Sequence, residues 1–154
     1  MPGYGLPKGT KGLLPWKWAE DRLKKSHNYW IGTVKPDGAP HTMVVWGLWL
    51  EGEFLFSTGR QSRKAKNLAQ EPRCVVSTEQ AEQAVIVEGV AEEVMDVATL
   101  RKFLRIYEKK YDFDMSGFEK DILSLKEPIY GVRPVAVFGL DEKKALNAAT
   151  RWRF

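Results

Sequence analysis

The sequence predicts an α+β domain in which six antiparallel strands form a small β-barrel with flanking helices. Its 154 residues, 44% of them hydrophobic and 12% aromatic, are enough to build one buried core. Apolar segments rich in β-branched and aromatic residues alternate with tight-turn residues, which is typical of strands joined as hairpins. Other segments repeat apolar residues at helical spacing. We therefore expect a single domain at 13–154, preceded by a flexible arm rich in Gly and Pro at 1–12.

The first half of the domain is predicted to be one helix followed by a three-stranded meander. The helix runs from Trp16 to about Lys25, because Pro15 suits the start of a helix and apolar residues follow at near-helical spacing. The strands are Tyr29–Val34, His41–Leu50 and Glu53–Ser57, with tight turns between them. Both faces of the middle strand are apolar, since Val44 and Val45 begin two alternating apolar rows, so we expect burial on both sides.

The second half is predicted to contain two helices and three more strands. Ser62 caps a short helix, and Asp96 caps a longer one whose apolar positions repeat at helical spacing. The strands are Cys74–Thr78, Ala84–Val90 and Gly131–Leu140, and Gly89 could form a bulge in the second of them. The segment 112–128 is expected to be a loop with a short helix. Because Pro134 has no backbone N–H, it predicts that the last strand lies at an edge or contains a bulge.

Composition argues against several classes of function. A single cysteine, Cys74, cannot form an internal disulfide or a cysteine-based zinc site, and two histidines, His27 and His41, leave little material for another metal site. No apolar run approaches the ~20 residues that span a bilayer, and the first residues lack the apolar stretch of a signal peptide. We therefore expect a cytoplasmic protein without membrane attachment. The net charge of +4 suits an anionic ligand as well as a nucleic acid.

The most informative segment runs from Phe56 to Lys66. A strand ends in Ser57-Thr58, a glycine turn follows, and a helix begins with Ser62-Arg63-Lys64. Hydroxyl groups, free backbone N–H groups, the positive end of a helix dipole and cationic side chains therefore meet at one place, an arrangement that binds phosphate. The alternative is a solvated basic start of a helix, and composition alone does not choose between the two.

In this segment and the strands before it, the sequence resembles the pyridoxamine 5'-phosphate oxidase-like proteins, which are split β-barrel flavin and deazaflavin reductases. The resemblance covers roughly 16–94, and its most specific motif is Ser57-Thr58 followed by Ser62-Arg63-Lys64. It implies that these five residues hold the phosphate of FMN or of the deazaflavin coenzyme F-420. It also implies that the backbone of Met43, Val44 and Val45 lies along the pyrimidine edge of the ring. A homodimer with cofactor sites at the two subunit junctions is implied as well.

The sequence also departs from the oxidase that gives this family its name. The oxidase has an arginine before the position of Met43 and a lysine at the end of that strand, where this sequence has Thr42 and Gly47. Its C-terminal substrate-binding motif is not recognisable here, so oxidation of vitamin B6 is rejected. The closing Thr-Arg-Trp-Arg-Phe is similar instead to a small actinobacterial-type branch, some members of which use F-420. The acidic tail of that coenzyme could be attracted by Lys66, Arg60, or Lys8 and Lys11 of the arm.

Three classes of function remain as hypotheses. The first is a flavin- or deazaflavin-dependent oxidoreductase that transfers hydride between the cofactor ring and a small flat substrate. Because the redox chemistry belongs to the cofactor, the lack of a recognisable catalytic residue counts little against an enzyme. The second is a non-enzymatic flavin or haem carrier, for which His27 and His41 are the available histidine ligands. The third, nucleic-acid binding, is disfavoured because the basic residues cluster at 60–66 and the aromatic residues lie in apolar strands.

Three other features have two interpretations each. His41 could donate a hydrogen bond to a substrate near the ring, or it could end a hairpin exposed to water, which we favour. The C-terminal cluster could pack against the barrel, which we favour, or cap a pocket; its members are Arg151, Trp152, Arg153 and Phe154. Cys74 is expected to be an inert buried thiol.

Overall fold

The computed structural model describes residues 13–147 and 149–154 and confirms an α+β fold built on an antiparallel sheet. In these residues the sheet has eight strands where the sequence predicts six. The helices are α1 (Trp16–Lys25), α2 (Arg63–Gln70), α3 (Val97–Tyr111) and α4 (Ser116–Leu123). The strands are β1 (Tyr29–Val34), β2 (Pro40–Val45), β3 (Gly47–Leu50), β4 (Glu53–Ser57), β5 (Arg73–Thr78), β6 (Val85–Glu93), β7 (Ile129–Gly139) and β8 (Thr150–Arg153). The predicted arm at 1–12, with Lys8 and Lys11, lies outside the described residues.

The helices α2 and α3 begin at the capping residues that the sequence predicts. The Ser62 hydroxyl accepts a hydrogen bond from the backbone N–H of Ala65 at 3.2 Å, and the Asp96 carboxylate accepts one from that of Thr99 at 2.8 Å. Helix α3 ends at Asp112, whose φ of 48° is the left-handed conformation common at helix C-termini. Among the described residues, none of the helices is long and apolar enough to cross a membrane.

The sheet curls because the chain joins its two edges. The order of strands is β2-β1-β5-β6-β7-β4-β3, with β8 beside the second half of β7. β2 and β3 thus lie at opposite ends of the order, although Trp46 alone separates them in the chain. The two edges are therefore brought near each other at Trp46, and the sheet curls into a half-barrel in which no β2–β3 pairing is present among the described residues. This corrects the prediction of one continuous strand over His41–Leu50.

The expected burial on both sides of that segment is wrong for its first half. In β2, Met43 and Val44 keep 47% and 44% of their surface exposed, whereas Val45 is buried. In β3 the residues from Gly47 to Trp49 are all buried. Both strands are edges of the sheet, and the difference arises because α1 and α3 pack against β3.

Strand β7 lies inside the sheet, so the edge position that Pro134 suggests is wrong and the bulge is confirmed. β7 pairs with β6 over most of its length, with β4 over 129–132 and with β8 over 136–139. Pro134 falls between the β4 and β8 pairings and opposite Gly89, where the register between β6 and β7 shifts. A proline is tolerated there because no further strand needs the N–H that it lacks.

The hydrophobic core has two parts. One fills the barrel around Tyr29, Phe54 and Phe56, with one face of α1 and of α2 packed against it. The other lies between α3 and the β3–β4 hairpin, around Leu48 and Phe103. Trp46, the residue that joins β2 to β3, packs against this second part.

Within the C-terminal cluster, Trp152 packs against the barrel core, in agreement with the favoured interpretation, whereas Arg151, Arg153 and Phe154 are exposed. The ring of Trp152 lies 5.5 Å from that of Trp16, and the ring of Phe154 lies 5.0 Å from the same Trp16 ring. The segment also forms β8, a strand that the sequence does not predict. Cys74 is buried as expected, and burial raises the pKa of its thiol to about 12.

Candidate functional site

The hydroxyl residues of the predicted phosphate motif come together at the turn between β4 and α2. Ser57 is the last residue of β4, and Ser57 and Thr58 are both half-buried. The Thr58 hydroxyl lies 2.9 Å from the Ser62 hydroxyl, and the Ser62 backbone N–H donates to the Gly59 carbonyl at 2.9 Å. These contacts hold the end of the strand next to the first turn of the helix.

The start of α2 leaves backbone donors free. Ser62 is the N-cap, and its hydroxyl and carbonyl oxygens accept the N–H groups of Ala65 and Lys66. Within the part of the chain that the structure describes, the N–H groups of Arg63 and Lys64 have no acceptor. Free N–H groups at the positive end of a helix dipole favour an anionic ligand.

Three cationic side chains of this helix have no acidic partner. Arg63 and Lys66 are exposed and Lys64 is half-buried. None of the three forms an ion pair with any residue in the described ranges. Burial lowers the pKa of Lys64, because its ammonium has lost part of its hydration. A cation that is already partly dehydrated interacts more strongly with a nearby anion than one in bulk water.

Arg60 does not belong to this free group. Its guanidinium forms a two-point ion pair with the Glu93 carboxylate, at 2.8 and 3.0 Å. In the conformation described, the Arg60 guanidinium is therefore already paired and not free for the acidic tail of a deazaflavin, a role that the sequence allowed for it. The basic run at 60–66 contains one structural cation and three free ones.

The residues assigned by resemblance to the cofactor ring lie on an edge strand. β2 pairs with β1 from Pro40 to Val45, and no described strand pairs with its other edge. In an antiparallel pair, alternate residues direct their backbone N–H and C=O groups to the neighbour or away from it. The stretch from Met43 to Val45 therefore offers unpaired backbone groups to a flat ligand that carries donors and acceptors along one edge.

The register of the β3–β4 hairpin brings the two halves of the site together. Gly47 lies opposite Phe56, the residue before Ser57, and Gly47 follows Val45 after a single residue. Neighbouring strands are about 4.8 Å apart. Ser57 and Thr58, at the end of β4, therefore lie beside the end of β2.

Helix α3 supplies hydrogen bonds at this junction. The Gly47 backbone N–H donates to the Tyr111 hydroxyl at 2.9 Å. The Lys110 ammonium donates to the Gly47 carbonyl at 3.0 Å and to the Tyr29 hydroxyl at 2.8 Å. The Trp46 ring stacks on the Tyr111 ring at 4.6 Å with an interplanar angle of 6°. Burial lowers the pKa of Lys110 to about 8. Sequence reasoning missed these contacts because Tyr111 fits the apolar repeat of the helix and carries no other signal.

A polar link joins α2 to the start of β2. Asn67 is fully buried, and its side-chain N–H donates to the Thr33 hydroxyl at 3.0 Å. That hydroxyl lies 3.5 Å from Nδ1 of His41, which is opposite Thr33 in the register. His41 is thus half-buried, not freely exposed to water. The sequence feature that could have indicated this link is Asn67 itself, a polar residue on the apolar face of α2, between Ala65 and Leu68.

The surface has two other features, both of them grooves. A groove of about 560 Å³ on the outer face of the sheet has a mainly apolar surface, to which Val75 and Val135 contribute, with charged residues such as Glu71 and Arg73 also in its lining. A second groove of about 340 Å³ is lined largely by acidic and apolar residues from the β3–β4 hairpin, the end of β6 and the connection to α3. Neither is lined by the predicted phosphate or ring residues, so neither groove belongs to the candidate site. In the described ranges, no group of three or more His, Cys, Asp or Glu side chains could hold a metal ion.

Comparison with known proteins identifies similar sequences. Residues 17–129 match the family model described as pyridoxamine 5'-phosphate oxidase. A curated pyridoxine/pyridoxamine 5'-phosphate oxidase from Bacteroides thetaiotaomicron is 40% identical over 67 residues, which cover 42% of this chain and 32% of that protein. The match thus spans about a third of the length of the curated relative.

Several solved structures share the fold. A conserved hypothetical protein from Mycobacterium tuberculosis has a TM-score of 0.75 at 24% identity, covering 89% of this chain and 91% of that one. An F-420 reductase has a TM-score of 0.61 at 23% identity, covering 77% and 94%. A heme-binding protein from Mycobacterium smegmatis has a TM-score of 0.64 at 15% identity, covering 91% and 59%. At these identities the likeness establishes the fold alone.

Proposed function

Because the chain belongs to the pyridoxamine 5'-phosphate oxidase family, we propose that it is an oxidoreductase that binds a flavin or deazaflavin by its phosphate. Its substrate would be a small flat molecule that exchanges hydride with the cofactor ring. The observation that carries the proposal is the start of α2, where two free N–H groups and the unpaired side chains of Arg63 and Lys64 lie beside Ser57 and Thr58.

The residues present fit a phosphate-bearing ring. A phosphate accepts hydrogen bonds from several directions, and the turn offers the hydroxyls of Ser57, Thr58 and Ser62 together with the backbone donors of α2. Arg63 can engage two phosphate oxygens through its planar fork, and Lys64 adds a compact charge. The unpaired edge of β2 suits a ring system with hydrogen-bonding groups on one side.

The cofactor, when bound, would supply the hydride chemistry, and this chain's residues would bind and orient it. The start of α2 would hold the phosphate, and β2 would set the position of the ring. The wall formed by Trp46 and Tyr111 stands at the end of β2 and would limit how far the ring extends toward α3. This division of roles requires no nucleophile or base from the protein.

One departure from the oxidase has a structural reason. A Cβ atom at Gly47 would overlap the ring of Phe54 and lie 2.7 Å from the backbone oxygen of Leu55, so no side chain fits there without moving the core. The oxidase carries a lysine at the corresponding place. Since Thr42 also stands in place of the arginine that is a further phosphate ligand in the oxidase, the cofactor phosphate would depend on the residues of the turn and the start of α2.

We also propose that the active form is a homodimer. By alternation and register, Trp30, Val44 and Val75 lie on the outer face of the sheet, where each keeps more than 40% of its surface exposed. Val135, at the bulge, is 53% exposed and lines the 560 Å³ groove on the same face. Exposed apolar patches of this kind mark interaction surfaces. A second copy would cover this face and, as the family resemblance implies, could complete the cofactor site. Light scattering tests the proposed homodimer by measuring the molar mass of the wild type and of Val75→Glu in solution. A monomeric wild type contradicts the proposal.

The test of cofactor binding is an absorbance spectrum of the purified full chain, followed by titration with FMN and with F-420. We expect one of them to bind, and we expect Arg63→Gln to weaken binding by about 10-fold or more, because a hydrogen bond to a charged group is lost. Arg105→Gln is the matched control, since Arg105 is an exposed arginine on α3. Failure of the wild type to bind either cofactor would refute the proposal. A bound flavin that no electron donor reduces, or a haem spectrum, would favour the carrier alternative.

A further inference from the structure

Arg60 lies in the middle of the proposed phosphate turn, yet its side chain is bound elsewhere. Besides the two bonds to Glu93, its Nε donates to the Lys126 carbonyl at 2.9 Å and its Nη2 donates to the Leu125 carbonyl at 2.9 Å. An arginine has five side-chain N–H donors, so four of them are already used. Its backbone N–H donates to the Glu127 carboxylate at 2.7 Å.

These bonds tie the turn to two other elements. Glu93 is the last residue of β6, and Leu125 to Glu127 form the connection between α4 and β7. Gly59 faces the same connection, since a Cβ placed on it would lie 3.9 Å from the Glu127 carboxylate. Contacts to the end of β6 and to the 125–127 connection therefore hold the segment from Gly59 to Ser62 on one side. On its other side, the free backbone N–H groups at the start of α2 remain available.

The charges give a second reason for this arrangement. Glu93 and Glu127 both contact the turn, and their carboxylates would oppose the binding of a phosphate nearby. Arg60 neutralises one of them and keeps it in a defined position. Composition alone would assign Arg60 to ligand binding, but in the structure its side chain stabilises the turn instead.

We propose that Arg60 is a positioning residue for the phosphate-bearing ligand, acting through Glu93 and the 125–127 connection to fix the Gly59–Ser62 turn without touching the ligand. The proposal rests on the proposed function and extends it. It makes Arg60 different in kind from Arg63, although the two are of the same type and only three positions apart.

The experiment compares the dissociation constants of FMN and of riboflavin, which has the same ring and no phosphate. For Arg60→Ala we expect FMN binding to weaken by about 3- to 10-fold, as for the loss of a single hydrogen bond in the turn, with riboflavin binding unchanged. If the wild type takes F-420 instead, the two probes are F-420 and its ring fragment without phosphate. Arg60→Lys keeps the charge without the planar fork and is expected to change binding in the same direction if the alanine variant does not fold.

Glu93→Ala separates positioning from simple electrostatics by the sign of its effect. Removing a carboxylate near an anion site tightens FMN binding if charge alone acts, whereas loss of positioning weakens it by about 3- to 10-fold. The double variant Arg60→Ala/Glu93→Ala is expected to bind FMN within about 2-fold of Arg60→Ala, since both changes break the same contact. In the control pair Arg63→Ala/Glu93→Ala, the two losses are expected to multiply.

Several outcomes overturn the positioning role of Arg60 alone: tighter or unchanged FMN binding in Glu93→Ala, multiplied losses in the Arg60 double variant, or a parallel loss of riboflavin binding. The last of these indicates a general folding defect. A wild type that binds neither FMN nor F-420 overturns the proposed function and this inference with it.

Discussion

The Tyr111 hydroxyl is expected to hold the junction between β2 and β3, and Tyr111→Phe removes it without changing the ring. The hydroxyl accepts the Gly47 N–H at 2.9 Å and lies within 2.8 and 2.9 Å of the carbonyl oxygens of His27 and Gly47. Gly47 is buried, so its N–H would lose its partner, at a cost of about 1–3 kcal/mol in the free energy of unfolding. The Gly47 carbonyl keeps the Lys110 ammonium as a donor, so no larger loss is expected.

Urea denaturation of the apoprotein measures this loss, and Tyr107→Phe is the matched control. Tyr107 lies one turn earlier on α3 and is equally buried, with 8% of its surface exposed, and its hydroxyl has no partner among the described residues. We expect Tyr107→Phe to change stability by less than about 0.5 kcal/mol. In thermal denaturation, each kcal/mol corresponds to about 2–4 °C in Tm for a domain of this size. Equal stability of the two variants would refute the reasoning, since it would mean that water replaces the hydroxyl.

Three further predictions concern stability. Burial lowers the pKa of Lys110 from 10.5 to about 8, so between these pH values the unfolded chain binds more protons than the folded one. The free energy of unfolding of the wild type, relative to that of Lys110→Met, should therefore rise from pH 8 to pH 10. A difference between the two proteins that stays constant with pH in urea denaturation contradicts this. Ser62→Ala removes the cap of α2 and should cost about 0.5–2 kcal/mol in the same assay, and a neutral result would mean that the cap contributes nothing. Gly89→Ala should lower the free energy of unfolding by about 1–3 kcal/mol, because the new Cβ would lie 2.5 Å from the Arg133 carbonyl oxygen. In the control Gly117→Ala the new Cβ meets open space, so no loss of stability is expected. Similar Tm values for the two variants would contradict the close approach at Gly89.

Elements whose signals are local were predicted from the sequence almost to the residue. Helix α1 and strands β1 and β4 have the predicted bounds, and Ser62 and Asp96 cap the predicted helices. Capping and alternation depend on neighbours within a few positions, so the sequence contains the information directly. The break at Trp46 was not predicted because an apolar run looks the same whether it continues in one strand or passes from one sheet edge to the other.

The candidate site was predicted in part for the same reason. The motif lies within a single short segment, 57–64, and the structure brings its hydroxyl residues and helix start together. Their ligand, and the role of the β2 backbone, remain predictions. The partners of Arg60, by contrast, are separated from it by 33 to 67 positions in the chain, and no local pattern distinguishes a cation that faces a ligand from one that faces a glutamate.

The sequence by itself determined the α+β class, most element boundaries and a basic, hydroxyl-bearing turn at the start of a helix, because each of these follows from side chains close together in the chain. The tertiary structure alone decided which strands are edges, why Pro134 is tolerated inside the sheet, and which cations are free. Those properties depend on distant pairings: the curl that joins β2 to β3 at Trp46, the shifted register opposite Gly89, and the ion pair between Arg60 and Glu93. Charge can be counted along a chain, but its availability to a ligand is set by the groups that folding brings beside it.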